Sequence, residues 1–189
     1  MARIPRFLQG QADAGHLPGA LTLIWRRGTL AHSSMVGLMD MGRGTPMRAD
    51  AIFRLYSMTK PVTAVALLML VEESRIALDD PVTRFIPGLD GLKVQDGTVP
   101  KRAMTVLDLL RHTAGFTYGF HNRTPIDAQY RRLRIAEFDT EGGLAAMMAQ
   151  LEKLPLEYSP GEAWIYSVAT DIAGYLVECV GGQSYAAFV

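Results

Sequence analysis

Residues 57–73, Ser-Met-Thr-Lys-Pro-Val-Thr-Ala-Val-Ala-Leu-Leu-Met-Leu-Val-Glu-Glu, decide how this chain folds. The stretch is almost wholly apolar up to its two glutamates and is too long for an ordinary strand, which predicts a buried helix over residues 62–73. Pro61 fixes where that helix begins, because proline is tolerated only in the first turn. Ser57 is therefore expected at, or just before, the helix N-terminus.

Ser57 and Lys60 form a Ser-x-x-Lys motif at this point. Side chains at positions i and i+3 lie on the same helical face, so the hydroxyl and the amine are expected side by side. The positive potential of a helix N-terminus favours an alkoxide and an uncharged amine, the forms that nucleophilic catalysis needs. A helix cap followed by a surface lysine explains the same residues equally well, and the motif alone does not decide.

The residues before this motif predict strands. Residues 19–26 and 29–37 are expected to form a hairpin around Arg27-Gly28, because two β-prone runs flank a turn sequence. Residues 52–56, Ile-Phe-Arg-Leu-Tyr, are rich in β-branched and aromatic side chains and predict a further short strand. The N-terminal part should therefore supply a sheet.

The residues after the motif predict mainly helices. Thr105-Val-Leu-Asp108 resembles a capping box and opens a helix that Gly115 is expected to close. Residues 116–140 are rich in arginine, show little periodicity and are expected to form a long surface excursion. Helical patterns return over residues 142–154 and 168–180.

Strands first and helices after predict an α+β fold rather than alternating β/α units. No internal repeat and no linker divides the chain. We therefore expect residues 1–189 to form part of one domain, sheet-forming over residues 1–56 and mainly helical over residues 57–189.

The composition excludes several classes of function. The 189 residues are 49% hydrophobic and 20% charged, as in ordinary globular proteins. Nineteen basic residues balance nineteen acidic ones, which argues against nucleic-acid or polybasic membrane partners. Neither a secretory signal nor an apolar run of about 20 residues is visible, so the sequence predicts a soluble, cytoplasmic protein.

The sequence predicts no metal and no cofactor. A single cysteine, Cys179, rules out an internal disulfide, and its apolar neighbours predict an inert core thiol. The four histidines lack the spacing of metal ligands, and nucleotide-binding glycine motifs are absent.

Tyr166 is the third residue that could carry chemistry. Tyr166-Ser-Val168 stands at the start of a predicted helix, where a phenol could face a cleft. Near a lysine cation the phenolate would be stabilised and could act as a general base. A tyrosine packed in the core is the structural alternative.

Five motifs occur in this order along the chain: Ser57-Met-Thr-Lys-Pro61, Leu109-Leu-Arg-His-Thr-Ala-Gly115, Tyr158-Ser-Pro-Gly161, Tyr166-Ser-Val168 and Gly174-Tyr-Leu-Val-Glu178. Together they resemble the serine β-lactamase-like superfamily, in the branch that holds class C β-lactamases, D-aminopeptidases and family VIII carboxylesterases. The resemblance extends from about residue 4 to residue 189, essentially the whole chain.

The resemblance implies a Ser-Lys-Tyr hydrolase. Ser57 would be the acylated nucleophile and Lys60 its proton-relay partner. Tyr166 would be the base or acid that activates the serine and protonates the leaving group. The β-lactamases of this branch carry asparagine where this chain has Val168, which cannot hydrogen-bond through its side chain. That departure favours a carboxylesterase acting on small esters. Together with Val168, the side chains expected to contact substrate are Phe116 and Tyr118.

The resemblance also implies an antiparallel sheet flanked by helices, with further strands beyond Val189. Family members are roughly twice as long as this chain, so we expect an N-terminal portion that works with a complementary C-terminal chain or as a homo-oligomer. A β-lactamase, a D-amino-acid amidase, an acyltransferase and a non-catalytic scaffold of the same fold stay open as alternatives.

Overall fold

The computed structural model describes residues 3–137 and 142–189 in two compact units, Met1–Leu55 and Tyr56–Val189. Their secondary structure differs. The first unit contains a three-stranded antiparallel sheet, and the second is mainly helical.

The N-terminal unit contains helix α1 (Arg3–Asp13) and strands β1 (Gly19–Arg26), β2 (Thr29–Asp40) and β3 (Thr45–Pro46). The predicted hairpin is present, with β1 and β2 antiparallel. Arg27 and Gly28 both adopt positive φ angles, 50° and 77°, as a tight turn compatible with strand twist requires.

The predicted strand over residues 52–56 does not form. These residues join no sheet in the described chain, and Ile52 is fully exposed. Their β propensity comes from side chains that suit a half-buried sheet surface, and here no strand lies beside them to provide one. Tyr56 instead has a φ of 48° and begins a short 3₁₀ turn, Tyr56–Thr59.

The C-terminal unit is built from six helices in the described residues: α2 (Lys60–Glu72), α3 (Val106–Arg111), α4 (Pro125–Arg132), α5 (Gly143–Leu151), α6 (Ala169–Gly181) and α7 (Tyr185–Phe188). Helix α2 packs against α6. Its buried residues follow helical spacing, namely Thr63, Ala66, Leu67 and Leu70. Only this face is buried, whereas the opposite face of α2 is exposed at Val62, Val65, Leu68 and Met69.

Three features differ from the sequence predictions: the end of one helix, the packing of one segment and the exposure of the cysteine. Helix α3 ends at Arg111 because His112 adopts a left-handed conformation, with a φ of 57°, before Gly115 is reached. The predicted surface excursion over residues 116–140 ends outside the described residues, whose first range stops at 137. Within 116–137 the segment is not simply a surface excursion, since α4 buries Ile126 and Tyr130 in the core. Cys179 is exposed rather than buried, because it lies on the outer side of α6.

The capping box predicted at Thr105 and Asp108 is present. The Asp108 carboxylate is 4% exposed and accepts hydrogen bonds from Arg102, Thr105 and Thr113. Burial opposes its ionisation, but the bonds from Arg102 and the two threonines outweigh burial and lower its pKa to about 2.

We expect Asp108→Asn to reduce the free energy of unfolding by about 2 kcal/mol at pH 7. The folded pKa lies below the unfolded value of about 3.9, so the carboxylate stabilises the fold above that pH. Its contribution is lost as the pH falls through the folded value. Urea denaturation at pH 7 and pH 3 should show the difference between wild type and variant shrinking, and an unchanged difference would contradict the assignment.

Candidate active site

Ser57 lies in the 3₁₀ turn that leads directly into α2. The left-handed Tyr56 reverses the backbone immediately before it, a conformation that costs a non-glycine residue about 1 kcal/mol. The side chain of Ser57 is exposed, and its Oγ lies 2.7 Å from the phenol oxygen of Tyr166. The structure therefore brings together the serine and the tyrosine, which are far apart in sequence.

Lys60 is the first residue of α2 and is partly buried. Its Nζ lies 4.8 Å from the ring centre of Tyr166 and donates a 3.2 Å hydrogen bond to the phenol oxygen of Tyr118. The side chains of Ser57, Lys60 and Tyr166 thus form one cluster within the C-terminal unit. Tyr118 belongs to it as a neighbour of Lys60.

Tyr166 is held in place by backbone pairing between two loops. Ile165 N donates to His112 O at 2.9 Å, and Glu157 N donates to Gly115 O at 2.8 Å. The carbonyl of Tyr166 accepts a 2.6 Å hydrogen bond from His121 Nε2. These bonds fix the segment on both sides of the phenol, so the position of Tyr166 depends on the loop after α3.

Gly115 is required for this pairing. Its φ of 89° is unfavourable for other residues, and a Cβ would collide with the carbonyl oxygen of Tyr158. We expect Gly115→Ala to lower the free energy of unfolding by about 2–4 kcal/mol and to reduce turnover at the site. The control is Gly97→Ala, where φ is 83° but a Cβ meets nothing within 4 Å. It should cost about 1 kcal/mol, and equal losses in both variants would contradict a role for the close contact.

The environments of the two phenols move their pKa values in opposite directions. Burial opposes ionisation of Tyr166, but its interactions with Lys60 and Ser57 prevail and hold the pKa below the ordinary value. Burial, followed by the negative charge of Asp171, raises the pKa of Tyr118. Tyr166 is therefore the phenol suited to accept a proton, whereas Tyr118 stays protonated.

His112 packs against Tyr166, with ring centres 5.0 Å apart. Burial and the nearby charge of Lys60 lower the pKa of His112. Its Nδ1 accepts a 3.3 Å hydrogen bond from the backbone N–H of Ser167. With Nδ1 as an acceptor, a ring proton lies on Nε2, and the ring supports the tyrosine segment.

Two residues predicted to contact substrate do not reach the site. Phe116 is 2% exposed within the hydrophobic core, and Val168 is fully buried where α6 begins. Both side chains are occupied by core packing, so neither is retained as a substrate contact. Tyr118 does lie at the site, where it binds Lys60.

Sequence reasoning missed four side chains around the cluster. Phe120 stacks on Tyr118 at 4.9 Å, and Trp164 meets the edge of His112 at 6.1 Å. His121 and Asp171 complete the set. An aspartate in the first turn of a mostly apolar helix was the available signal for Asp171. The other three depend on loop pairing that no local pattern reveals.

The described residues contain no group of three or more histidine, cysteine, aspartate or glutamate side chains arranged to bind a metal ion. No helix in that part of the chain is both long and apolar enough to span a bilayer. The chemistry that the cluster offers is a hydroxyl in contact with a phenol of lowered pKa, beside an ammonium group. That arrangement suits nucleophilic attack by Ser57.

Comparisons with known proteins show the family and the fold of the chain. The Beta-lactamase family model matches residues 4–189. Esterase EstB of Burkholderia gladioli is 38% identical over 179 residues, which cover 92% of this chain and 43% of the esterase. Protein Rv1367c of Mycobacterium tuberculosis is 41% identical over 173 residues, covering 87% of this chain and 42% of that protein.

The same architecture occurs in a solved structure, EstCE1, described as a hydrolase with promiscuous acyltransferase activity. It aligns with a TM-score of 0.87 at 29% identity, over 99% of this chain and 49% of that one. The chain therefore spans less than half the length of these relatives. Because the family model covers nearly every residue and the fold agrees, this chain belongs to the beta-lactamase family of serine β-lactamase-like hydrolases.

Proposed function

We propose that this chain supplies the nucleophile and the proton-transfer groups of a serine carboxylesterase that acts on small esters. The observation that carries the proposal is the 2.7 Å contact between Ser57 Oγ and the Tyr166 phenol, with Lys60 Nζ 4.8 Å from the centre of the Tyr166 ring. The similarity of this chain to Esterase EstB also supports an esterase.

In the proposed reaction, the Tyr166 phenolate accepts the proton of Ser57 as Oγ attacks the ester carbonyl. The backbone N–H of Ser57, at the start of α2, donates to the developing oxyanion. Tyr166 then returns the proton to the leaving alcohol, which leaves an acyl group on Ser57. Water then attacks this ester with Tyr166 again as base, the bond between the acyl carbon and Ser57 Oγ breaks, Tyr166 returns the proton to Oγ, and the carboxylic acid leaves. Lys60 stabilises the phenolate throughout.

The surroundings of the cluster favour substrates with an apolar part. Two exposed aromatic rings lie near Tyr166, each one ring away: Trp164 contacts His112, and Phe120 stacks on Tyr118. Trp164 is 66% exposed and Phe120 is 62% exposed, so both can contact a bound molecule. Aliphatic or aromatic acyl esters would bury these ring surfaces.

The test compares hydrolysis of p-nitrophenyl butyrate with that of nitrocefin by the natively expressed protein. We expect ester turnover to dominate and Ser57→Ala to abolish it. Ser33→Ala, at an exposed serine of β2, is the matched control and should leave turnover unchanged. Faster turnover of nitrocefin than of the ester would show a β-lactamase and contradict the proposed esterase. Full activity of Ser57→Ala would show that Ser57 is not the nucleophile.

An acyltransferase is the second candidate, because EstCE1, which shares this fold, is described as a hydrolase with promiscuous acyltransferase activity. Both reactions share the acyl-enzyme and differ only in whether water or an alcohol accepts the acyl group. Adding a primary alcohol and measuring the ratio of new ester to free acid separates them. If the ratio of new ester to free acid exceeds the ratio expected from the alcohol concentration alone, the result favours an acyltransferase.

A further inference from the structure

Lys60 contacts a second phenol that the reaction above does not use. Its Nζ donates to Tyr118 Oη at 3.2 Å, and Tyr118 in turn donates to Asp171 Oδ2 at 3.0 Å. The direction of both bonds is fixed, because an ammonium group has no acceptor and a carboxylate has no donor. Tyr118 can therefore present its lone pair to Lys60 only while its proton lies toward Asp171.

Three separate elements bring these groups together. Lys60 begins α2, Asp171 lies in the first turn of α6, and Tyr118 belongs to the loop that pairs with the segment before α6. The buried faces of α2 and α6 pack against one another and set the distance between the lysine and the carboxylate. Asp171 is only partly exposed, which strengthens its electrostatic interactions.

We propose that Asp171, acting through Tyr118, is a positioning residue for Lys60 in the reaction proposed above, on which this inference rests. The carboxylate orients the Tyr118 hydroxyl, and the hydroxyl oxygen holds one N–H of the ammonium group. The remaining N–H groups of Lys60 are thereby directed toward Tyr166 and Ser57. Asp171 also places a negative charge near the base, opposite in sign to Lys60.

The charge of Asp171 has a definite effect on Tyr166. Titratable groups face Tyr166 from every element packed against it: Lys60 on α2, His112 after α3, Tyr118 and His121 on the following loop, and Asp171 on α6. Among them, Lys60 lowers the pKa of Tyr166 and Asp171 raises it. The carboxylate thus makes the phenolate a stronger base than the lysine alone would allow.

Two effects are expected from Asp171→Asn, which keeps an acceptor for Tyr118 but removes the charge. The acidic limb of the kcat/KM profile should move to lower pH, because the pKa of Tyr166 falls. The plateau value of kcat should fall about tenfold, since a weaker base and a less ordered Lys60 both slow proton transfer. KM should change little, because no contact with the ester is removed.

The experiment measures pH profiles for wild type, Asp171→Asn and Asp171→Glu, with Glu178→Gln on the same helix as control. Asp171→Glu should recover part of the lost kcat and restore the position of the limb, and Glu178→Gln should match wild type. The inference would be overturned if Asp171→Asn lowered kcat without moving the acidic limb of the kcat/KM profile. It would also be overturned if Asp171→Asn changed neither quantity. Tyr118→Phe should reproduce the loss, and combining it with Asp171→Asn should add little further, because the two act as one unit.

A second readout does not depend on turnover. Ultraviolet titration of tyrosinate, with the Tyr166→Phe signal subtracted, reports the ionisation of Tyr166 directly. Removing the Asp171 charge should move that titration to lower pH, and an unmoved titration would overturn the inference. If wild type shows this coupling but hydrolyses no ester, the proposed function fails while the interaction between Asp171 and Tyr166 stands.

Discussion

Replacing Tyr166 with phenylalanine should lower kcat by about 10³-fold while KM stays within a factor of about three. The variant keeps the ring that packs against His112 and Tyr118 and removes only the oxygen that lies 2.7 Å from Ser57 Oγ. Without that oxygen the cluster has no group of lowered pKa in contact with the nucleophile. Steady-state kinetics with a p-nitrophenyl ester measure the loss.

Tyr158→Phe is the matched control for this variant. Tyr158 is 41% exposed, lies on the same segment of chain and contributes its backbone carbonyl rather than its phenol to the packing around Gly115. Its loss of a hydroxyl should leave kcat unchanged. A Tyr166→Phe enzyme that retains more than about a tenth of wild-type kcat would show that another group accepts the serine proton.

Replacing Lys60 with methionine should lower kcat by about 10²–10³-fold and move the acidic limb of the pH profile to higher pH. Methionine has nearly the same length but no charge, so the interaction that lowers the pKa of Tyr166 is lost. A smaller fraction of Tyr166 is then ionised at any given pH. This shift is opposite in sign to the one expected from Asp171→Asn.

Lys153→Met removes an exposed lysine elsewhere in the C-terminal unit and serves as the control. This variant should alter neither kcat nor the pH at which the acidic limb of the profile occurs. If Lys60→Met lowered kcat without moving the limb, Lys60 would act through something other than the ionisation of Tyr166, and the assignment of roles within the cluster would be wrong.

The features predicted correctly from the sequence are those that depend on neighbouring residues. The Arg27-Gly28 turn, the capping box at Thr105 and the start of α2 beside Pro61 are local, so their residue types are sufficient. Ser57 lies in the 3₁₀ turn that leads into α2 and Lys60 begins that helix, as the sequence placed them at the helix N-terminus. The resemblance to a known family adds Tyr166, whose contact with Ser57 joins distant parts of the chain.

The features predicted wrongly depend on packing between distant segments. Residues 52–56 have β propensity but no neighbouring strand, and α4 is held by core contacts of Ile126 and Tyr130 that weak periodicity conceals. Phe116 and Val168 flank site residues in sequence, yet both point into the core. Proximity along the chain therefore does not tell which side chains face the site.

Trapping the acyl-enzyme tests the central claim most directly. The natively expressed protein is mixed with a p-nitrophenyl ester, quenched in acid within one turnover, and analysed by intact mass and peptide mapping beside the Ser57→Ala variant. We predict an added mass equal to the acyl group, located on Ser57 and absent from the variant. Ester hydrolysis without an adduct on Ser57, or the same adduct in Ser57→Ala, would contradict the account.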